Sequence, residues 1–198
     1  MSDNNDFELI KIADSTSIYR DLTAGKIIPK QIYHDLRSEL IDNPNYTLLF
    51  KHQSHFHQLY LHIGFELILD ESGEFFYIKE AQDIENNEAD ENAFKVQVIL
   101  MLLGRYYARS GRDLENIGKI DLGLNANDLK ILSQNEEYND ILTTTKQSGG
   151  WGKAMEFLRF RNFAHKTGED RYFLGSAGMS FLYKLVDEYK DNGDNSRK

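Results

Sequence analysis

No cysteine occurs in this sequence, which excludes disulfides and thiolate metal sites and is compatible with a reducing cytoplasm. Proline is almost as scarce, with two residues, Pro29 and Pro44, both early in the chain. The longest apolar run, residues 98–103, has six members, far short of the roughly 20 needed to cross a bilayer. The start, MSDNNDFELI, is polar and acidic with no basic region ahead of an apolar stretch, so no secretory signal is expected. Positive charge is also short. The 198 residues carry 23 Lys and Arg against 32 Asp and Glu, a net charge of −9. A protein whose whole surface gripped DNA would be basic, so any nucleic-acid contact must come from a local patch or through partners. What is present is 40% hydrophobic and 12% aromatic content. That suffices for a real core in a mainly helical soluble protein of one large domain or two small ones.

The organising stretch is residues 65–79, FELILDESGEFFYIK. Phe65, Leu67 and Leu69 alternate with Glu66, Ile68 and Asp70, the period of a strand with one face buried. Phe75, Phe76, Tyr77 and Ile78 form the return strand, with Gly73 expected to supply the positive φ of the turn. A lone hairpin is marginal in water, so it must lie on helices. Before it the sequence predicts three: residues 18–25, a helix opened by Pro29 with Ile32, Leu36 and Leu40 at i, i+4, i+8, and residues 46–63 after Pro44. Residues 81–92 carry Asp83, Glu85, Glu88, Asp90 and Glu91 with no basic residue and read as a solvated linker. A helix over 93–108 is apolar nearly all round and should be buried on several sides. Helical segments follow over 122–134 and 138–145, a break at Ser148-Gly149-Gly150, and a short helix over 151–161. A second hairpin flanks the turn Thr167-Gly168-Glu169-Asp170. A closing helix over 175–190 buries Met179, Leu182, Leu185, Val186 and Tyr189. Helices leading to a hairpin thus occur twice. The expected fold is mainly α with a minor β part: a first winged-helix domain over 7–80, an acidic linker over 81–92, a second winged-helix domain over 93–190 and a loose tail over 191–198.

No Gly-rich phosphate loop, GxSxG, HExxH or EF-hand pattern is present, and without cysteine a nucleophile would need an activated Ser or Thr that no local arrangement suggests. No catalytic residue, cofactor or metal site is expected. His52, His55, His57 and His62 lie close in sequence, but the i, i+4 pair typical of helical metal sites is absent, and a polar helix surface accounts for them. Lys146, Lys153, Arg159, Arg161, Lys166 and Arg171 face only Glu156, Glu169 and Asp170 in the same region. Such a stretch can place cations against phosphates without reading sequence, or be an ordinary solvated surface. Phe75, Phe76, Tyr77, Tyr106 and Tyr107 form an aromatic surplus that suits a dimer or docked peptide. Core packing is the ordinary alternative for at least half of them.

The hairpin at 65–79, the apolar helix after an acidic stretch, and the ending KAMEFLRFRNFAHKTGEDRYFLGSAGMSFLYKLVDEY together resemble the MukE/MksE family, the tandem winged-helix "kite" subunits of bacterial condensins. The resemblance spans residues 18–189 and rests on order and spacing of apolar patterns. The long acidic C-terminal extension of some MukE proteins is missing, which leaves the MksE type or a plasmid-restricting condensin-like system equally open. The resemblance implies a non-catalytic homodimer that binds the kleisin subunit (MukF/MksF type), and through it an SMC-like ATPase (MukB/MksB type), modulating that ATPase in chromosome condensation and segregation. It implies non-specific DNA contact within the complex through Lys153, Arg159, Arg161, Lys166 and Arg171, a patch interrupted by Glu156. Phe75, Tyr77, Tyr106 and Tyr107 are the expected partner-binding residues, and the expected location is cytoplasmic and nucleoid-associated. The alternative is a stand-alone winged-helix transcription regulator, which the single Lys51 on the 46–63 helix disfavours. A metal-dependent hydrolase is a distant third.

Overall fold

The computed structural model describes residues 9–81, 87–146 and 149–195. It is mainly α with a minor β part, 57% helical with eight α-helices among the described residues. Helix α1 spans Ile12–Thr23, and Gly25, at φ 71°, turns the chain out of it. Strand β1 is Ile28–Pro29, and a hairpin of β2 (Gln31–His34) and β3 (Glu39–Asp42) follows. Here the structure corrects the helix expected after Pro29. The Ile32, Leu36, Leu40 spacing is helical, but Ile27, Ile28, Ile32 and Ile41 are β-branched. Ile32 pairs with Ile41 and Tyr33 with Leu40, and Ser38 takes up a φ of 52° at the turn. Leu36, expected on a buried face, is 94% exposed at its tip. Pro29 can sit in β1 because that strand is an edge, where the missing amide costs little.

Helix α2 (Pro44–Lys51) has Pro44 in its first turn and the Asn43 side chain accepting from the Asn45 amide at 3.0 Å. The single helix expected over 46–63 is two, because His52, at φ −117° and ψ 36°, breaks it before α3 (Gln53–His62). Strands β4 (Phe65–Asp70) and β5 (Phe75–Glu80) pair in the expected register. The positive φ of their turn belongs to Glu74, at 53°, and not to Gly73. Gly73 is required for another reason: a Cβ there would lie 2.5 Å from the Phe75 ring. Strand order is β1-β5-β4.

Residues 82–86, and with them Asp83 and Glu85, lie outside the described residues. The helix expected from residue 93 begins earlier: α4 spans Asn87–Arg109. A 3-10 turn (Leu114–Gly118) leads to Gly123 and Leu124, and Leu124 bridges to Tyr172. Helices α5 (Ala126–Gln134) and α6 (Glu136–Thr144) are each capped by an Asn side chain, Asn125 and Asn135. Ser148 is outside the described residues, but Gly149 and Gly150 make the expected break with φ of 103° and 72°. Then come α7 (Gly150–Phe160), β6 (Ala164–Lys166), β7 (Tyr172–Leu174) and α8 (Ser176–Asn195). The side chain of Tyr189 and residues 196–198 lie outside the described residues.

Both halves share a plan: a helix, an extended segment that pairs with the second strand of a later hairpin, further helices, then that hairpin. In the first half β1 pairs with β5, and in the second Leu124 pairs with Tyr172 of β7. Each half has a core. Ile18, Leu49, Phe56, Tyr60, Leu67 and Phe76 build the first, and Ile99, Leu103, Tyr107, Leu132, Trp151 and Leu158 anchor the second. The cores meet across β1 and β5. Neighbouring residues there point to opposite faces, so Ile28 and Phe76 enter the first core while Ile27 and Phe75 enter the second.

Polar contacts seal the seam. The Ile27 amide donates to the Arg161 carbonyl at 3.3 Å, and Asn162 Nδ2 donates to the Ile27 carbonyl at 2.7 Å. At the β4–β5 turn, Ser176 Oγ donates to the Gly73 carbonyl at 2.9 Å and Lys184 pairs with Asp70 at 2.7 Å. The β2–β3 hairpin adds a third contact, with Tyr33 edge-on to Phe173 at 5.4 Å.

Candidate nucleic-acid and partner interfaces

Helix α7 buries Trp151, Ala154, Met155 and Leu158, so the helical period leaves Lys153, Glu156 and Arg159 on its outer side. Glu156 is the hub. One of its oxygens accepts from the Tyr172 hydroxyl at 2.6 Å and the other from Arg159 Nε at 2.7 Å. Burial works against the Glu156 carboxylate, and these two hydrogen bonds outweigh it, so its pKa lies below the ordinary range. Lys166 stands over the Tyr172 ring at 5.5 Å and pairs with Asp170 at 2.7 Å. That hydrogen bond to Asp170 raises the lysine pKa.

The five basic residues do not form one surface of free cations. Arg159 and Lys166 converge on the Glu156–Tyr172 pair, each with a carboxylate partner. Lys153 is exposed on the same helix. Arg161 turns to the seam, its guanidinium 4.2 Å from the centre of the Phe157 ring. Arg171 donates to the Gly123 carbonyl at 3.3 Å on the far side of the hairpin. Glu156 therefore does interrupt the patch, and it organises what remains.

The expectation of an exposed aromatic surplus needs correction. Phe75 and Tyr107 are buried in the second core, and Tyr106 nearly so. Phe75 packs against Phe163 and Phe181, with ring centres 6.3 and 5.9 Å away. Only Tyr77 keeps a share of surface. The apolar side chains that do face solvent include Phe50, Phe94, Met101 and Phe160.

Tyr106 and Tyr107 belong to a cluster that the sequence reading missed. Asp128, buried at the start of α5, accepts from the Tyr106 hydroxyl at 2.8 Å, Arg112 Nη2 at 3.0 Å and the Asn125 amide at 2.9 Å. The Arg112 guanidinium lies 4.2 Å from the centre of the Tyr107 ring. Burial, and then the hydrogen bond to Asp128, pushes the Tyr106 hydroxyl up to about 12. The reciprocal cap of Asn125 and Asp128 was the signal available in the sequence. This buried, paired group holds α4 to α5.

Among the described residues no three His, Asp or Glu side chains are grouped so as to hold a metal ion, and no helix is long and apolar enough to cross a membrane. His165, on β6, is largely buried beside Phe173, and desolvation lowers its pKa to about 4. The comparisons are consistent with an assembly role. The family model described as condensin complex protein MksE matches residues 13–186. No curated protein matches the chain.

Proposed function

Because the chain belongs to the MksE family of condensin complex proteins, and is thereby an accessory subunit of a condensin complex, we propose that it works as a non-catalytic homodimer. It binds the kleisin-type subunit, modulates the SMC-like ATPase through it, and helps hold DNA in the cytoplasmic, nucleoid-associated assembly. The observation that carries this reading is the family match over residues 13–186. The repeated plan supports dividing the chain into winged-helix units at residues 7–80 and 93–190. Each half runs helix, extended segment, helices and hairpin, with the extended segment on the second hairpin strand. An inserted β2–β3 hairpin distinguishes the first.

In this reading Lys153, Arg159, Arg161, Lys166 and Arg171 supply phosphate contacts that carry no sequence information. With Arg159 and Lys166 already paired to carboxylates, the grip is weak alone and gains from the other subunits. Tyr77 is retained as a partner contact, because it is the one of the four proposed aromatics with surface to offer. Size-exclusion chromatography with light scattering, with and without the kleisin-type subunit, tests the proposal. A dimer that co-elutes with the kleisin is expected, and a strict monomer that ignores it ends the reading.

A further inference from the structure

Strand β5 is central to its sheet, yet one of its edges is only half covered. Strand β4 pairs along all of β5, but β1 reaches only Phe75 and Phe76. Beyond that point the chain leaves the sheet: the Ile27 amide donates to the Arg161 carbonyl and the Lys26 amide to the Asp21 carbonyl. Peptide groups alternate sides along an antiparallel ladder. The Glu74 carbonyl accepts from Lys30 on the β1 side, while the Ala81 amide donates to Gly64 on the β4 side. By that parity the amide and carbonyl of Ile78 point to the uncovered side.

A groove of about 300 Å³ opens there, between the end of α1, β5, the first turns of α4 and the seam at Arg161. Its surface is mostly apolar, with Phe75, Val96, Phe163 and Phe181 in its lining. No Asp or Glu lines it, although the chain carries 32 of them. Its charged lining residues are Lys26 and Arg161. Lys26 is paired with Asp21, which stands outside the groove. An open strand edge, an apolar trough and a rim of one sign are the elements of strand-addition recognition. Backbone bonds supply affinity there, and alternate side chains supply selectivity.

We propose that this groove takes an extended segment of a partner protein as an added strand beside Tyr77 and Ile78. The segment places an apolar side chain toward Phe163 and Phe181 and a carboxylate toward Lys26 and Arg161. The inference rests on the partner-binding reading above and specifies where and by what chemistry it occurs. A second copy of this chain is the less favoured occupant, since a chain of net charge −9 gains little from meeting itself at a site of this size.

The test uses the full chain and the kleisin-type subunit of the same complex. Ala93→Trp and Gln97→Trp fill the groove from exposed positions on α4 that a folded helix tolerates, checked by circular dichroism. At least a tenfold loss of kleisin affinity in both, with the oligomeric state unchanged, is the expected result. Binding within twofold of the parent, in folded variants, overturns the groove assignment while leaving the partner reading intact. Conversion of dimer to monomer with kleisin affinity retained also overturns it, because the occupant is then a second copy. If the parent protein binds no kleisin, the partner reading fails and this proposal fails with it. Because the chain has no native cysteine, Gln97→Cys gives a single labelling site for an independent readout. Kleisin should slow maleimide labelling at residue 97 and leave a Tyr183→Cys control unaffected.

Discussion

Replacing Phe75 with alanine should weaken the whole chain, although the residue sits in the hairpin of the first half. Its ring is 1% exposed and lies in the second core, against Phe163 and Phe181. Truncating a buried Phe costs about 3–5 kcal/mol, the lost transfer energy plus the cavity left behind. The Gly73 and Ser176 backbone contact holds the turn next to it, so the site cannot collapse freely and a value near ~4 kcal/mol is expected. For a chain of this size each kcal/mol moves Tm by about 2–4 °C, giving a fall of roughly 8–16 °C. Phe76→Ala removes a ring from the first core instead and serves as the matched comparison. Differential scanning calorimetry distinguishes them beyond magnitude. Phe75→Ala severs the side chain shared by the halves, so its transition should broaden or split, whereas Phe76→Ala should loosen the first half. Leu36→Ala, at a 94% exposed tip, should stay within about 0.5 kcal/mol of the parent. A fall below 3 °C for Phe75→Ala, with one sharp transition, would refute the idea that the halves are welded through this ring.

Asp128→Ala should cost about 3–5 kcal/mol, measured by urea denaturation, because it strands the buried Tyr106 hydroxyl and leaves Arg112 without its partner; a loss below 1 kcal/mol would contradict the buried-pair account. His165 is neutral in the fold, with its pKa lowered from 6.5 to about 4 by desolvation. The unfolded chain therefore binds the extra proton first as pH falls. Stability from this group is complete above pH 6.5 and declines toward pH 4, by at most about 3 kcal/mol. His165→Phe should flatten that window in denaturant midpoints taken between pH 7 and pH 4.5, and an unchanged slope would show that the ring is already solvated. Arg159→Glu with Arg161→Glu should reduce DNA retention by the assembled complex roughly 10- to 100-fold and shallow its salt dependence, with the dimer intact. Loss of the dimer with DNA retention unchanged would mean that the surface has another role.

Periodicity carried the reading furthest where burial is one-sided. The β4–β5 hairpin, α7 and the second hairpin were all visible because each keeps one apolar face over several residues. It failed at residues 27–42, where the bonds that make β1 a strand are to Phe75 and Phe76, far along the chain and invisible to any local window. His52 broke a helix that its neighbours favour, and Glu74 took the positive φ expected of Gly73 because the glycine is needed to let Phe75 pass. The basic residues were found by count, but their pairing was not. Glu156 and Asp170 neutralise two of them through contacts that depend on helix phase and strand register. The aromatics were numerous for the core they fill. Phe75, Tyr106 and Tyr107 look surplus only when each half is costed separately.

A sheet that serves two cores also sets the timing of assembly. Phe181 is made 106 positions after Phe75, which at about 5–20 residues per second is roughly 5–20 s of synthesis. Through that interval the nascent first half has one face of β1 and β5 finished and the other, bearing Ile27 and Phe75, still bare. The emerging polypeptide thus presents a greasy surface to chaperones until its last helix leaves the ribosome.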